Sequence, residues 1–214
     1  MSQTMKKYLF LLISMAFSVV LSTCRYAMSG RKTYLFLVFN LLLAFIPFIV
    51  SEIMLRWDFK EKKKLFWFFV TFWLLFFPNA PYILTDLFHL KPKIGAPFWY
   101  DLLLLMSYAL NGFFLGFLSL RTVEKLTTDL YGKIFANVLT FITLIACSIG
   151  VYVGRYLRWN SWDVFTKPLS LLAELQDQDF YPIQDSEILA FTFVFSIFLI
   201  INYFLMKNIG KVVD

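Results

Sequence analysis

Two groups of polar side chains stand out in a chain that is otherwise strongly apolar. In the first group, Tyr82, Asp86 and His89 follow one another at spacings of four and three residues, so on a helix they share one face. The second group contains Arg155 and Arg158, which are three residues apart and would also share a helical face. Paired guanidinium groups hold phosphate or carboxylate through parallel hydrogen bonds, so these residue types indicate the binding of an anion.

Residues that follow the arginines extend the second group. Asn160 and Asp163 have the spacing of a capping box, which is typical of the start of a helix. In an enzymatic interpretation, Asp86 or Asp163 is the general base, His89 is the proton shuttle, and the arginines hold the anionic group. The alternative is that the arginines contact lipid head groups or pair with loop acids, while the polar face around Asp86 simply meets water.

The first polar group directly follows an interrupted apolar run. This run, 65–77, has 13 residues and rises only about 20 Å, whereas the hydrocarbon core is about 30 Å thick. It ends in Pro78-Asn79-Ala80-Pro81, whose two prolines remove backbone donors and break a helix. Backbone freed in this way must face protein or a water-filled cavity, so we expect Asn79 to be shielded from lipid. The pattern predicts that a short amphipathic helix begins at Pro81 and lies in or near the outer interface.

The elements that position these groups are predicted to be membrane helices. The chain of 214 residues is 60% apolar and 16% charged, with a mean hydropathy of +0.70. A soluble domain is about 45–50% apolar and about 25% charged, so the composition excludes a water-soluble globule. We therefore predict an all-α polytopic bundle that forms a single integral membrane domain over residues 1–214. Its six spans are expected at 8–23, 34–55, 65–84, 102–120, 134–153 and 188–206, with an outer loop at 154–187.

The distribution of basic residues indicates how the spans face the membrane. The termini and the second and fourth loops carry 12 lysines and arginines, and the other three loops carry 8. Basic loops are retained in the cytoplasm, so we predict a multi-pass cell-membrane protein with both termini cytoplasmic. Both polar groups and Asp101, at the start of the fourth span, then lie on the extracytoplasmic side. We accordingly expect Arg155 or Arg158 to pair with Asp86 or Asp101.

Composition also limits the cofactors and partners. Cys24 and Cys147 are the only cysteines and His89 is the only histidine. They are too few for a disulfide framework, a zinc motif or bis-histidine haem, so we expect no metal and no cofactor. The net charge of +6 lies in short loops and signals topology, so no nucleic-acid partner is expected. The expected partners are membrane lipid and a lipid head group or small anion.

Two further features concern the packing and the retention of spans. Gly112 and Gly116 have the spacing that allows close helix packing, and Asn111 beside them is expected to form a hydrogen bond between helices. Residues 1–24 loosely imitate a lipoprotein signal. Because Thr23 is a poor residue for cleavage before a cysteine, we predict a retained first span, with a removed signal as the alternative.

Three stretches carry a family resemblance: PNAPYILTDLFHL at 78–90, WYD at 99–101 and GRYLRWNSWD at 154–163. In these stretches the sequence resembles a family of uncharacterised bacterial multispan membrane proteins, known as domain of unknown function 1361. The resemblance extends from the second span to the sixth. It implies a bacterial integral membrane protein and implies no activity.

The leading interpretation is an extracytoplasmic polar pocket that binds a lipid head group or small anion, with or without catalysis. Its ligand-binding residues are predicted to be Asn79, Tyr82, Asp86, His89, Asp101, Arg155, Arg158, Asn160 and Asp163. The broken third span favours a small transporter as one alternative, although no internal repeat is detectable. A non-catalytic accessory or assembly subunit of a membrane complex is the other.

Overall fold

The computed structural model describes residues 3–156, 158–159, 166 and 185–212, and this part of the chain is helical without any strand. The helices are α1 (Gln3–Ser29), α2 (Phe36–Met54), α3 (Lys63–Phe76), α4 (Asn79–Thr85), α5 (Phe98–Tyr131), α6 (Lys133–Tyr156) and α7 (Asp185–Val212). A 3₁₀ turn, Asp86–His89, directly continues α4. The predicted all-α architecture is confirmed.

Six stretches within the described residues are long and apolar enough to cross a membrane. They are Tyr8–Ser29, Phe36–Met54, Lys63–His89, Phe98–Tyr131, Lys133–Tyr156 and Glu187–Ile209. The prediction of six spans is confirmed, and the chain is an integral membrane protein by this criterion. The first helix ends at Ser29 rather than at Thr23, so Arg25 lies inside α1 instead of in the loop that follows it.

The third span is interrupted where the two prolines predicted a break. Helix α3 ends at Phe76 and α4 begins at Asn79, while the two residues between them keep right-handed helical angles. Pro81 has no N–H, so the Phe77 carbonyl accepts a 3.1 Å hydrogen bond from the Ala80 N–H instead. The side-chain amide of Asn79 donates to the Phe76 carbonyl at 2.9 Å. The break is confirmed, and Asn79 is half-buried beside it.

Glycines on α5 allow the broken segment to approach that helix closely. A Cβ atom at Gly112 would lie 2.5 Å from the Ala80 carbonyl oxygen, and one at Gly116 would lie 3.1 Å from the Ala80 Cβ. The predicted packing role of this glycine pair is confirmed.

A second pair of glycines with the same spacing lies on α6 and receives the other side of the segment. A Cβ atom at Gly150 would lie 2.7 Å from Pro78 Cγ, and one at Gly154 would lie 3.3 Å from the Tyr82 ring. Helix α4 therefore packs among α2, α5 and α6. Its small residues and Ile83 are buried by these neighbours, and the position of this helix in or near the outer interface stays a prediction.

The six spans run alternately between two ends of the bundle. At one end, the last turns of α1 and α6 meet the residues after α4 and the start of α5; we name it the Asp86 end. At the other, the last turns of α5 and α7 meet; we name it the Glu124 end. The apolar core consists of two clusters of buried residues, and α5 contributes to both. One cluster includes Leu37, Ile83 and Tyr108, and the other includes Trp73, Leu144 and Tyr203.

Candidate functional site

An arginine and an aspartate from the two predicted groups meet at the Asp86 end. Arg155 Nη1 lies 3.2 Å from Asp86 Oδ1, and Arg155 Nη2 donates to the Thr85 carbonyl. The side chains of Arg155 and Asp86 are 12% and 2% exposed. The last turn of α6 therefore pairs with the 3₁₀ turn after α4, and the expectation that one of the two arginines would reach Asp86 or Asp101 is confirmed.

Other residues of the first group surround the same guanidinium. Arg155 Nη1 donates to Tyr82 Oη at 3.3 Å and lies 3.3 Å from His89 Nε2. The guanidinium carbon is 5.3 Å from the centre of the Tyr82 ring and 5.5 Å from that of Phe88, within reach of cation–π attraction. Tyr82, Asp86 and His89 thus converge on Arg155, as their helical spacing predicted.

An amide closes the site on the side that faces the bundle. Asn40 on α2 donates from Nδ2 to Asp86 Oδ2 at 2.7 Å. Asp86 is 1% exposed as a residue, whereas His89 is exposed. The cluster is therefore closed by Asn40 and opens outward past Arg155 and His89. Asn40 was not predicted as a site residue, although a lone amide in an apolar span is a signal for a polar partner inside the bundle.

Asp101 belongs to a separate pair rather than to this cluster. Arg25 Nε lies 2.6 Å from Asp101 Oδ1 and Arg25 Nη2 lies 3.3 Å from Asp101 Oδ2. Both side chains are 1% exposed, and Nη2 also lies 3.5 Å from the Ile94 carbonyl. Arg25 Nη1 has no hydrogen-bond partner among the described residues. Arg25 was assigned to a loop by the sequence analysis, so this pairing was not predicted.

The side chain of Arg25 ends a polar stripe on α1 that faces α5. Ser18 accepts a 2.9 Å hydrogen bond from Asn111 Nδ2, and Ser22 Oγ lies 2.9 Å from Tyr108 Oη. Ser18, Ser22 and Arg25 recur at spacings of four and three residues, which is the helical signal that would have placed Arg25 inside the bundle. The predicted interhelical hydrogen bond of Asn111 is confirmed.

Tyr34 lies near both arginine–aspartate pairs. Its hydroxyl donates to the His89 carbonyl at 3.5 Å, and Lys93 Nζ lies 4.1 Å from the centre of its ring. Burial lowers the pKa of the Lys93 ammonium, and the negative charge of Asp101 opposes that shift. The loop before α5 thus brings a further cation between the two pairs.

The structure describes two of the remaining predicted site residues, Asn79 and Arg158. Asn79 bonds the backbone one turn before α4. Arg158 is exposed, has a φ of 58°, and forms no salt bridge with any described residue. Asn160 and Asp163 lie outside the described residues. Within the described ranges, no group of three or more His, Cys, Asp or Glu side chains is arranged to hold a metal ion.

Comparisons with known proteins give one match. No curated protein and no solved structure matches the chain significantly. The family model described as "Protein of unknown function (DUF1361)" matches residues 39–202, which is more than half of the chain. The matched range contains Asn40, Asp86, Asp101 and Arg155, whereas Arg25 lies before it. The chain therefore belongs to the DUF1361 family of proteins of unknown function.

Proposed function

We propose that this integral membrane protein binds an anionic group, a lipid head group or a small anion, at its Asp86 end, and that this end faces the extracytoplasmic side. The observation that carries the proposal is the set of contacts and the exposure of the Arg155 side chain. Its guanidinium lies near two aromatic rings and one buried carboxylate, and the side chain as a whole is 12% exposed. Its Nε–H has no partner among the described residues. A fixed, partly open guanidinium is a preorganised anion donor.

The charges around Arg155 support an anionic ligand. Asp86 balances one positive charge, and the other charged residues described at the same end include the cations Lys91, Lys93 and Arg158 and the acid Glu187. Lys91 and Arg158 are exposed. Exposed cations beside a site attract anions and raise their local concentration.

Binding is favoured over the other functions considered from the sequence. The Asp86 carboxylate accepts from both Asn40 and Arg155 and is 1% exposed, which disfavours it as a general base. A transport path along the broken third span is disfavoured because the glycines of α5 and α6 bring protein within contact distance of Ala80 and Pro78.

Calorimetric titration of the purified protein in detergent tests the proposal. The probes are dihexanoyl phosphatidylglycerol for a head group, inorganic phosphate for a small anion, and dihexanoyl phosphatidylcholine as the zwitterionic control. We expect one of the two anions to bind in preference to phosphatidylcholine. The double variant His89→Gln, Arg158→Gln changes only exposed side chains, so it should fold normally. It should raise the Kd for that anion about ten-fold or more, since a hydrogen bond to a charged group contributes about 1.5–3 kcal/mol.

A matched variant separates a site from general electrostatics. Arg31→Gln also removes one formal charge from an exposed position at the Asp86 end, and it should change the Kd less than two-fold. Equal weakening in both variants, or no preference for either anion over phosphatidylcholine, would overturn the proposal.

Cysteine labelling of intact cells tests the proposed orientation. Cys24 is exposed and Cys147 is buried, so the background for labelling is Cys24→Ser. A membrane-impermeant maleimide added outside should label Lys91→Cys at the Asp86 end and leave Lys62→Cys, at the opposite end, unlabelled. The reverse pattern, or equal labelling of both positions, would contradict this orientation.

A further inference from the structure

A cavity lies at the Glu124 end, away from the site around Arg155. It has a volume of about 580 Å³ and is bordered by the end of α2, the last turns of α5, the start of α6 and the end of α7. Ligand pockets in proteins commonly have volumes of about 300–1,000 Å³. Its charged lining residues are Arg121, Glu124, Lys125, Asp129, Lys133 and Lys207. Four cations therefore face two acids.

The Glu124 carboxylate is already bound within the bundle. Tyr203 Oη donates to Glu124 Oε2 and Lys207 Nζ donates to Oε1. The Glu124 side chain is 8% exposed, so this acid is held between α5 and α7 and balances the charge of Lys207. Arg121, Lys125 and Lys133 are exposed and form no salt bridge within the described part of the chain. With Asp129 as the only other acid in the lining, the cavity has an excess of positive charge.

The backbone brings these three cations to one place. Arg121 and Lys125 are one turn apart on α5. Gly132, with a φ of 87°, ends α5 and lets α6 begin at the next residue, Lys133. The N-terminus of α6, which is the positive end of its dipole, therefore lies at the cavity.

The other polar groups of the lining do not compete as donors. The hydroxyl of Thr122 donates to the Leu118 carbonyl and that of Thr128 donates to the Glu124 carbonyl. The cationic side chains are thus the donors that a ligand meets. Leu55 and Leu118 line the same cavity, so it combines positive charge with apolar surface.

We propose that this cavity binds the phosphate group of an anionic phospholipid, with Arg121, Lys125 and Lys133 as its donors. The ends of the membrane helices lie at the level of lipid head groups, where a basic pocket between helices recognises anionic phosphate. Leu55 and Leu118 contact the glycerol and the first methylenes of the lipid. This site shares no residue with the site around Arg155, so it stands or falls independently of the proposed function.

Native mass spectrometry of the purified chain, delipidated and titrated with palmitoyl-oleoyl phosphatidylglycerol, tests this proposal. We expect one phosphatidylglycerol to bind in preference to palmitoyl-oleoyl phosphatidylcholine. The double variant Lys125→Gln, Lys133→Gln should raise the Kd about 25-fold, which corresponds to about five-fold per basic residue. Both substituted side chains are exposed, so the fold is maintained.

The matched control removes the same charge outside the cavity. Lys62→Gln with Lys64→Gln changes two exposed residues at the Glu124 end that do not line the cavity, and it should change the Kd less than two-fold. The variant His89→Gln, Arg158→Gln should also leave this binding unchanged. Inorganic phosphate in excess should not displace the lipid; full displacement would assign the site to a free phosphate ester and overturn the lipid assignment. Equal weakening by both lysine pairs would overturn the site itself.

Discussion

Two arginine–aspartate pairs lie at the same end of the bundle and differ in how far water reaches them. In the pair of Arg25 and Asp101, both side chains are 1% exposed and Nε lies 2.6 Å from the carboxylate. In the pair of Arg155 and Asp86, the arginine is 12% exposed and the distance is 3.2 Å. The first arginine directs two nitrogens at one carboxylate, whereas the second divides its hydrogen bonds among a carboxylate, a hydroxyl, a carbonyl and an imidazole.

The difference indicates two roles for the same residue types. A fully buried ion pair cannot exchange its partner, because removing either charge leaves the other uncompensated in a medium that solvates it poorly. Arg25 and Asp101 therefore fasten α1 to α5. The partly open Arg155 can gain an external acceptor while it keeps Asp86, and this is what an anion-binding site requires.

The largest effect on stability is expected from breaking the fully buried pair of Arg25 and Asp101. Arg25→Gln leaves the Asp101 carboxylate buried without its cation, which should cost about 3–5 kcal/mol of stability. Denaturant unfolding in detergent, followed by circular dichroism, measures the loss. Arg31→Gln, an exposed arginine six residues later, serves as the control and should stay within about 0.5 kcal/mol of the wild type. A similar small change for Arg25→Gln would show that the pair does not hold α1 in place.

The next largest loss of stability is expected from disturbing the close packing of α4 against α5, which supports the partly exposed pair of Arg155 and Asp86. Gly112→Ala places a Cβ 2.5 Å from the Ala80 carbonyl oxygen, and overpacking of this kind costs about 1–3 kcal/mol. Gly116→Ala meets the Ala80 side chain at 3.1 Å and should cost less, as measured by the same unfolding assay. If Gly116→Ala is the more destabilising of the two, the close contact between α4 and α5 is not as described.

The interaction energy between Asp86 and Arg155 is expected to be smaller than the effects of these single substitutions. A double-mutant cycle on Asp86→Asn and Arg155→Gln should give an interaction energy of about 1 kcal/mol, within the range of about 0.5–3 kcal/mol for contacting residues. The same cycle on Asp101→Asn and Arg25→Gln should give the larger value, because that pair is fully buried. Equal values, or a larger value for Asp86 and Arg155, would remove the distinction between the pairs.

The smallest effect on stability is expected at His89. Its side chain is exposed, so His89→Gln should change the free energy of unfolding by no more than about 0.5 kcal/mol. Its effect should be on anion affinity instead, measured by the titration described above. A loss of stability without a change in affinity would make His89 a structural residue.

The parts of the fold that were predicted from the sequence depend on local chemistry. Two prolines in a short apolar run predicted the break after α3, and the loop count placed Asp86 and Arg155 on one side of the membrane. The pairing of Arg25 with Asp101 was missed because the first span was ended where its apolar residues stop. Helix α1 continues to Ser29, since its serines and Arg25 find polar partners on α5.

Other features of the site depend on contacts between distant elements. The amphipathic pattern predicted helix α4 itself, whereas its packing between α5 and α6 depends on glycines of those two helices. Gly150 and Gly154 were not singled out as a packing pair, and the position of Asn40 in an apolar span signals a polar partner without identifying Asp86 as that partner. These contacts cannot be predicted from one segment of the sequence, because each of the helices that meet contributes only one or two small or polar residues.

Modification of the wild-type protein by phenylglyoxal tests the contrast between the two pairs most directly. This reagent attacks accessible guanidinium groups, and peptide mass spectrometry reports the rate at each arginine, with exposed Arg158 as the internal reference. Arg155 should react more slowly than Arg158 and become protected when dihexanoyl phosphatidylglycerol or phosphate is bound, while Arg25 should stay unmodified until the protein unfolds. Modification of Arg25 as fast as Arg155, or a rate at Arg155 that no anion changes, would contradict the account.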